Sequence, residues 1–497
     1  MTPEVSVVIP TIGRESLQRL LIALQATCDP VPHAVVIVDD RPGGAAPLPI
    51  DTTLPVRVLR SGGRGPAAAR NVGWRGVRTR WVAFLDDDVL PAAGWFAALA
   101  ADLAAADAYG AVGTQGIIDV PRPAGRRSTD DERRTEALAG AQWITADMAY
   151  RREALVAAGG FDERFPRAYR EDADLALRIT EAGQRIVTGS RHCTHPVAAA
   201  TWLSSVRAQV GNRDNALMRR KHGPYWRTRI GEGPGRMRGH AVTTATAVIA
   251  LGAMVFRRRR IAGVAAASWV GLTGDFAARR FWRGPRSAAE LVRVLATSAL
   301  IPPVAVAHRL TGEWAFRAAR REPPLAVLLD RDDTIIVDEP YLNDPAGVRP
   351  VPGAERALRR LRERGLLLAV VTNQSGVAKG LISPEQLEAV NARVDAMLGP
   401  FDTWQVCVHD SGDGCACRKP EPGMVLAAAE SLGVDAGRCV LIGDTGSDVN
   451  AALAARARAV LVPTDRTLRH EITEARSRAA VADSLQDAVA LVLRECR

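Results

Sequence analysis

Asp330 and Asp332 follow the apolar run Ala326-Val-Leu-Leu and are spaced two residues apart. A strand that carries two acids into a turn permits nucleophilic and proton-transfer chemistry, one carboxylate attacking while the other moves protons, provided their environments differ. A second buried run, Gly365-Leu-Leu-Leu-Ala-Val-Val, ends in Thr372, Asn373, Gln374 and Ser375, which are hydroxyl and amide donors. A third, Val440-Leu-Ile-Gly, ends in Asp444, with Asp448 one helical turn further on, and Arg418 and Lys419 supply positive charge between them. Phosphoryl transfer requires this inventory, because its catalysis is largely positioning plus neutralisation of the transferring oxygens.

Cys407-x-His409 and Cys415-x-Cys417 place three thiols and one imidazole within eleven residues. Such a Cys₃His set suits tetrahedral zinc and leaves no open coordination position, so the expected role is structural. The ion would clamp the loop that presents Arg418 and Lys419.

The first third of the chain carries a separate acidic constellation. Asp39 and Asp40 end the run Ala34-Val-Val-Ile-Val, the triplet Asp86-Asp87-Asp88 ends Trp81-Val-Ala-Phe-Leu, and Glu171, Asp172 and His195 follow. Three acids at one strand end repel one another unless something positive sits there, and a divalent cation bridging two phosphates, magnesium or manganese, answers that need. Plainer readings stand beside these: Asp39-Asp40 as a turn, Asp172 as an acid favoured by a helix N-terminus, His195 as a surface histidine. Arg213, Arg219, Arg220 and Lys221 read as the solvated coat of a helix.

Positioning these groups takes alternating strands and helices, hence parallel sheets that gather ligands at their carboxyl ends. A chain of 497 residues exceeds one core and predicts domains over 1–225 and 323–497, joined by a basic connector over 226–322. In the connector, Gly231 to Gly239 reads as a linker, Ala241 to Phe256 and Ile261 to Gly274 are apolar, and Arg257 to Arg260 divide them. Neither run reaches the ~20 residues of a spanning helix, and a spanning hairpin would leave four arginines outside, against the charge bias of membrane proteins. A helical pair whose arginines meet lipid phosphates and a hairpin buried between domains both remain open. Ser287 to Leu310 predicts one more helix, broken or ended by Pro302-Pro303. The 65 basic against 55 acidic residues fit phosphorylated substrates or an anionic membrane surface; interleaved aromatics at a recognisable spacing are missing, which argues against nucleic acid. Seven scattered cysteines and an N-terminus without a signal-peptide pattern give the expectation of a reducing cytoplasm, with peripheral membrane contact at its inner face.

From Val5 to about His222 the chain resembles a family 2 glycosyltransferase of the GT-A fold, through Ile9-Pro-Thr11, Val38-Asp39-Asp40, Ala69-Arg70-Asn71-Val-Gly73, Asp86 to Asp88, Gly159-Gly-Phe-Asp162-Glu163, Glu171-Asp172-Ala-Asp174-Leu and His195. The resemblance implies an inverting enzyme with a nucleotide-sugar donor and a glycan or lipid acceptor. In it, Asp39, Asp40 and Glu171 would contact substrate, Asp86 and Asp88 would hold magnesium or manganese and the diphosphate, and Asp172 would deprotonate the acceptor hydroxyl.

The last domain resembles the haloacid dehalogenase (HAD) superfamily, in the branch of heptose bisphosphate and histidinol phosphate phosphatases. Asp330-Arg-Asp332, Tyr341, Thr372-Asn-Gln-Ser-Gly376, Gly380, the Cys/His set with Arg418-Lys419-Pro420, and Gly443-Asp444 carry this likeness. It implies an aspartyl-phosphate mechanism: Asp330 as nucleophile, Asp332 as proton carrier, Thr372 and Lys419 on the phosphoryl group, and magnesium on Asp330, the Asp332 carbonyl and Asp444, supported by Asp448. Asn373, Gln374, Ser375 and Arg418 would contact the substrate. Asp333 stands where this branch usually has glycine, a third acid in a turn that Asp tolerates well. The combined expectation is a two-enzyme α/β chain that binds magnesium and zinc. The competing one is a histidinol phosphate phosphatase behind a silent sugar-nucleotide-binding or membrane-docking domain.

Overall fold

The structure, a computed structural model, describes residues 4–27, 32–43, 46–197, 200–317 and 323–495. The chain divides into two compact units, one of Met1–Ala154 with Phe161–Arg321, the other of Leu155–Gly160 with Glu322–Arg497.

The first unit is built on an eight-stranded mixed sheet. Its strands are β1 (Val5–Thr11), β2 (Ala34–Asp39), β3 (Val56–Arg60), β4 (Trp81–Leu85), β5 (Leu90–Pro91), β6 (Gly113–Asp119), β7 (Asp147–Arg151) and β8 (Ile186–Thr194), in the order β3-β2-β1-β4-β7-β6-β8-β5. β3, β2, β1 and β4 run parallel, as the strand–helix alternation predicts, whereas β7 pairs antiparallel with both β4 and β6. β1 and β4 are buried along their whole length, the pattern of strands covered on both faces. The acids therefore emerge where the parallel strands end: Asp39 pairs with Thr11 in the β1–β2 register, and Asp86 directly follows β4. The helices that matter for the site are α1 (Pro66–Arg75), α2 (Glu171–Glu181) and α3 (Gly211–His222).

Residues 226–317 depart from the sequence expectation in two ways. They group with the first unit instead of forming a separate connector, while the boundary at 322 lies outside the described residues. They also form longer helices than the apolar runs suggest: α4 (Met237–Val255), α5 (Arg259–Arg283) and α6 (Ala288–Ala315). Arginine is a good helix former, so the charged flanks extend the apolar runs. α5 and α6 are long and apolar enough to cross a membrane. α6 also continues through Pro302-Pro303, where a break was expected. Two prolines remove two amide donors, but α6 packs along α3 and α4, and Glu313 near its end takes ion pairs from Arg219 and Arg220, so tertiary packing holds the helix together.

The second unit has a six-stranded sheet whose neighbouring strands are all parallel: β9 (Ala326–Leu329), β10 (Leu367–Asn373), β11 (Thr403–Cys407), β12 (Cys439–Gly443), β13 (Arg458–Leu461) and β14 (Ala480–Val481), in the order β11-β10-β9-β12-β13-β14. Alternate residues of β9 feed opposite faces, Val327 and Leu329 into one core, Ala326 and Leu328 into the other. Leu329 pairs with both Val370 and Ile442, so Asp330 leaves the central strand with Thr372 on one side and Asp444 on the other.

Candidate active sites

In the second unit, Lys419 is buried and its ammonium is fixed by three acceptors: Asp330 Oδ1 at 2.7 Å, Asp448 Oδ1 at 2.6 Å and the Val371 carbonyl at 3.0 Å. One carboxylate oxygen from each of Asp330, Asp444 and Asp448 lies within 4.8 Å of the others. Three carboxylates around one ammonium leave an excess of negative charge. Burial, with the neighbouring acids adding to it and Lys419 opposing it, pushes Asp330 up to about 7. Asp444 is pushed up to about 8 by burial and by Asp330 and Asp448. A hard divalent cation is the complement of such an oxygen set, and magnesium fits it.

Asp332 has a different environment. Buried Arg331 forks onto it, Nε to Oδ1 at 3.0 Å and Nη2 to Oδ2 at 3.1 Å, and Gln374 Nε2 donates to Oδ2 at 2.7 Å. The Asp332 carboxylate is thus engaged by Arg331 and Gln374, and among the described residues it does not join the Asp330–Asp444–Asp448 group. Gln374 also donates to Thr372 Oγ1 at 2.8 Å.

Several residues predicted to touch substrate have partners within the protein. Gln374 braces Asp332 and Thr372. Asn373 pairs with the backbone of Lys419, Nδ2 to its carbonyl at 3.2 Å and Oδ1 from its amide at 3.1 Å, and Arg418 donates to the His409 carbonyl at 3.1 Å. Ser375 is half-buried. Asp333 adopts φ 52°, in the left-handed region that favours glycine. Its Oδ1 accepts the Asp338 amide at 3.0 Å and its Oδ2 lies 3.7 Å from Arg466 Nε, so this third acid has its own partners.

Cys407, His409, Cys415 and Cys417 converge beside that loop. Their sulfurs stand 3.3–3.7 Å apart, and His409 Nδ1 is 3.6 Å from Cys407 and 3.3 Å from Cys417. Tetrahedral zinc with Zn–S bonds of ~2.3 Å separates its sulfurs by about 3.8 Å, so the four side chains fit that ion.

In the first unit a cavity of about 1200 Å³ is lined by Arg14, Arg70, Asp86, Asp88, Asp172 and His195 among others. The charge that reconciles the acidic triplet comes in part from two arginines to which the sequence reading gave no role. Fully buried Arg70, on α1, bridges Asp86 Oδ1 at 2.6 Å and Glu171 Oε1 at 2.7 Å. Arg14 reaches Asp87 at 3.2 Å and Asp88 at 2.9 Å, and Thr11 Oγ1 donates to Asp87 at 2.6 Å. Among the described residues, Asp86 and Asp88 do not join a three-ligand cluster. Asp88 Oδ1 instead stands 3.8 Å from His195 Nε2. The other ring nitrogen is 3.0 Å from the Pro196 carbonyl, which can only accept, so in the neutral ring Nε2 turns a lone pair toward the carboxylate. Two acceptors facing each other, one a carboxylate oxygen and one an imidazole nitrogen, suit a shared divalent cation completed by phosphate oxygens, and the nitrogen favours manganese over magnesium.

Asp39 is forked by Arg41 at 2.8 Å, which holds its carboxyl below the usual range. Asp40 accepts from Ser61 Oγ and from the amides of Arg64 and Gly65, so it shapes the loop before α1. Asp172 sits half-buried in the first turn of α2, and burial raises its pKa even though its Oδ1 accepts the Ala173 amide at 2.7 Å. Glu171 is spent on Arg70. Lys221, read as part of a solvated helix coat, is buried between Asp162 and Asp174, at 2.5 and 2.6 Å. Only tertiary contact reveals that pairing, since α3 alone shows a basic last turn.

Comparison with known proteins finds a relative for each unit. A glycosyl transferase family 2 model matches residues 6–156, and a HAD-hydrolase-like model matches residues 416–488. A D-glycero-beta-D-manno-heptose-1,7-bisphosphate 7-phosphatase of Pseudomonas putida is 38% identical over 156 residues, 30% of this chain and 89% of that protein. Among solved structures, D,D-heptose 1,7-bisphosphate phosphatase from B. bronchiseptica, complexed with magnesium and phosphate, is 30% identical over 34% of this chain and 99% of its own, with TM-score 0.31. A mannosyltransferase from Pyrobaculum calidifontis in complex with GDP-Man and Mn²⁺ is 16% identical over 63% of this chain and 88% of its own, with TM-score 0.36. The chain is an enzyme on two counts: through its second unit it belongs to the HAD-like phosphatase family of the heptose bisphosphate phosphatases, and its first unit carries a family 2 glycosyltransferase domain.

Proposed function

We propose that the second unit removes the 7-phosphate of a D,D-heptose 1,7-bisphosphate and that the first transfers a sugar, with inversion, from a nucleotide donor to a glycan or lipid acceptor, in the cytoplasm. The observation that carries the phosphatase reading is Asp330 held by Lys419 beside Asp444 and Asp448. In this reading an Asp330 oxygen attacks phosphorus while Asp332 gives its proton to the departing sugar oxygen. Asp332 then takes a proton from the water that cleaves the aspartyl phosphate, restoring both side chains. The Thr372 hydroxyl would hold a phosphoryl oxygen, and Lys419, fixed beside Asp330, would offset the charge on the phosphoryl group. Magnesium, held by Asp330, the Asp332 carbonyl and Asp444, would neutralise charge on those oxygens. Zinc on the Cys/His set would be structural.

In the first unit Asp172 would accept the proton of the acceptor hydroxyl, and the burial that raises its pKa makes it a stronger base. Arg14 and Arg70 line the same cavity and would face the departing nucleoside diphosphate, and Asp88 with His195 would hold magnesium or manganese.

The decisive assay offers purified chain and magnesium a heptose bisphosphate and, in parallel, histidinol phosphate. Faster phosphate release from the heptose is expected, with Asp330→Asn losing roughly a thousandfold or more. Equal turnover by Asp330→Asn would remove the mechanism, and preference for histidinol phosphate would remove the substrate.

A further inference from the structure

A helical hairpin standing in water turns its large apolar residues inward and its charges outward. The pair α4–α5 does the reverse. Within the apolar parts of the two helices the buried positions are small, Thr243 and Ala250 on α4 and Ala265 and Ala277 on α5, whereas Val248, Ile249, Leu251, Val264 and Val270 are each more than half exposed; the one large buried side chain, Arg280, lies beyond the apolar part of α5 and pairs with Asp130. Small residues between helices and large aliphatic ones outside is the packing of helices in lipid, where close backbone approach provides the attraction. In water, that much unpartnered apolar surface would be an aggregation liability.

The spacing of charge points the same way. Arg238 and Arg257 bound the apolar part of α4, and Arg260 and Arg279 bound that of α5; each interval spans 19 residues and the only acid inside them is Asp275, which pairs with Arg279. At 1.5 Å per residue, Arg260 to Arg279 measures about 28 Å and the helical stretch Arg238 to Val255 about 26 Å, both close to the ~30 Å hydrocarbon layer of a bilayer. The two collars therefore fall at the two phosphate levels. Trp282, exposed beside the lower collar with Arg286 over its ring, is the residue type that settles at such an interface. The base of the hairpin holds Arg236, Arg238, Arg279, Arg283 and Arg286 against four arginines at the tip, while Arg280 is buried against Asp130. The larger positive charge at the base keeps that end on the cytoplasmic side, which answers the objection raised by the tip arginines.

We propose that the α4–α5 hairpin is embedded in a lipid bilayer, its tip arginines at the far phosphate layer and its base arginines at the near one. The inference does not depend on which reaction either unit performs. Its test uses the full chain expressed in bacteria. Sealed inside-out membrane vesicles are washed with high salt and then with alkaline carbonate, and the chain is expected to stay with the vesicles through both. Release by salt alone, leaving only arginine adsorption, overturns the proposal, as does recovery of the chain in the soluble fraction, including as a dimer that covers this face with a second copy. Trypsin added to the sealed vesicles should leave residues 239–279 as one fragment, cut at Arg257 to Arg260 only after detergent. Cleavage there in sealed vesicles overturns the spanning geometry. The double variant Val248→Asp, Val270→Asp should reduce the carbonate-resistant fraction at least about tenfold, since each charge near a helix centre opposes insertion. An unchanged far-ultraviolet circular dichroism spectrum would show that the variant folds, and wild-type retention on membranes overturns the proposal.

Discussion

Lys419 offers three protons and all three are committed, to Asp330, Asp448 and the Val371 carbonyl, so the ammonium is fixed before any substrate arrives. It cannot balance three acids, and the pH dependence follows. In the unfolded chain Asp330 and Asp444 lose their protons near the ordinary carboxylate value of about 4; in the fold they keep them to about 7 and about 8. Between those limits the folded state binds more protons, so stability is full below about pH 4 and falls as pH rises through about 8. Magnesium needs both groups ionised. Its stabilisation of the second unit should therefore be larger near about pH 8 than near about pH 6, as thermal unfolding with and without the ion would show. A larger shift at the lower pH would contradict the site. Arg70 presents the inverse case, one buried cation serving Asp86 and Glu171. Arg70→Met strands two carboxylates and should cost about 3–5 kcal/mol, read as a lowered midpoint in urea, and Arg70→Lys should recover little because one ammonium cannot replace the fork.

At the scale of elements, the candidate catalytic groups are delivered by strand ends and held by the loops behind them. β9, β10 and β12 bring Asp330, Thr372 and Asp444 side by side through register alone. The loop with Lys419 has no strand of its own; Asn373 holds its backbone from β10, and the Cys/His set gathers the chain just before it. That arrangement predicts that zinc matters for Lys419 without touching substrate. Cys415→Ser, or chelation of the wild-type chain, should lower the unfolding midpoint of the second unit and reduce phosphate release, while zinc restores the chelated wild type only. Full activity after verified zinc loss would show that β10 alone positions the loop. Asn373, Gln374 and Arg418 were expected at the substrate; in the structure they also bond to the Lys419 backbone, to Asp332 and to the His409 carbonyl of the Cys/His loop.

For the whole molecule, two acidic constellations lie on two separate sheets, each with its own arginine or lysine counter-charge. Separable activities follow. Asp88→Ala should abolish sugar transfer from a nucleotide donor and leave phosphate release within about twofold, and Asp330→Asn should do the opposite; loss of both reactions from either substitution would mean that the sites are coupled. The sequence alone determined the acids at strand ends, the parallel core strands and the Cys₃His spacing, because apolar runs, their punctuation and ligand spacing are local properties that any fold must respect. Tertiary structure alone decided the partners. Arg14 lies 73 residues from Asp87 and Arg70 lies 101 from Glu171, and no local pattern reports a pairing over such distances. The same holds for the helix through Pro302-Pro303, where packing against α3 and α4 outweighs the local preference to break, and for the outward-facing aliphatic side chains of α4 and α5, since a run of apolar residues does not say which of them will find a protein neighbour.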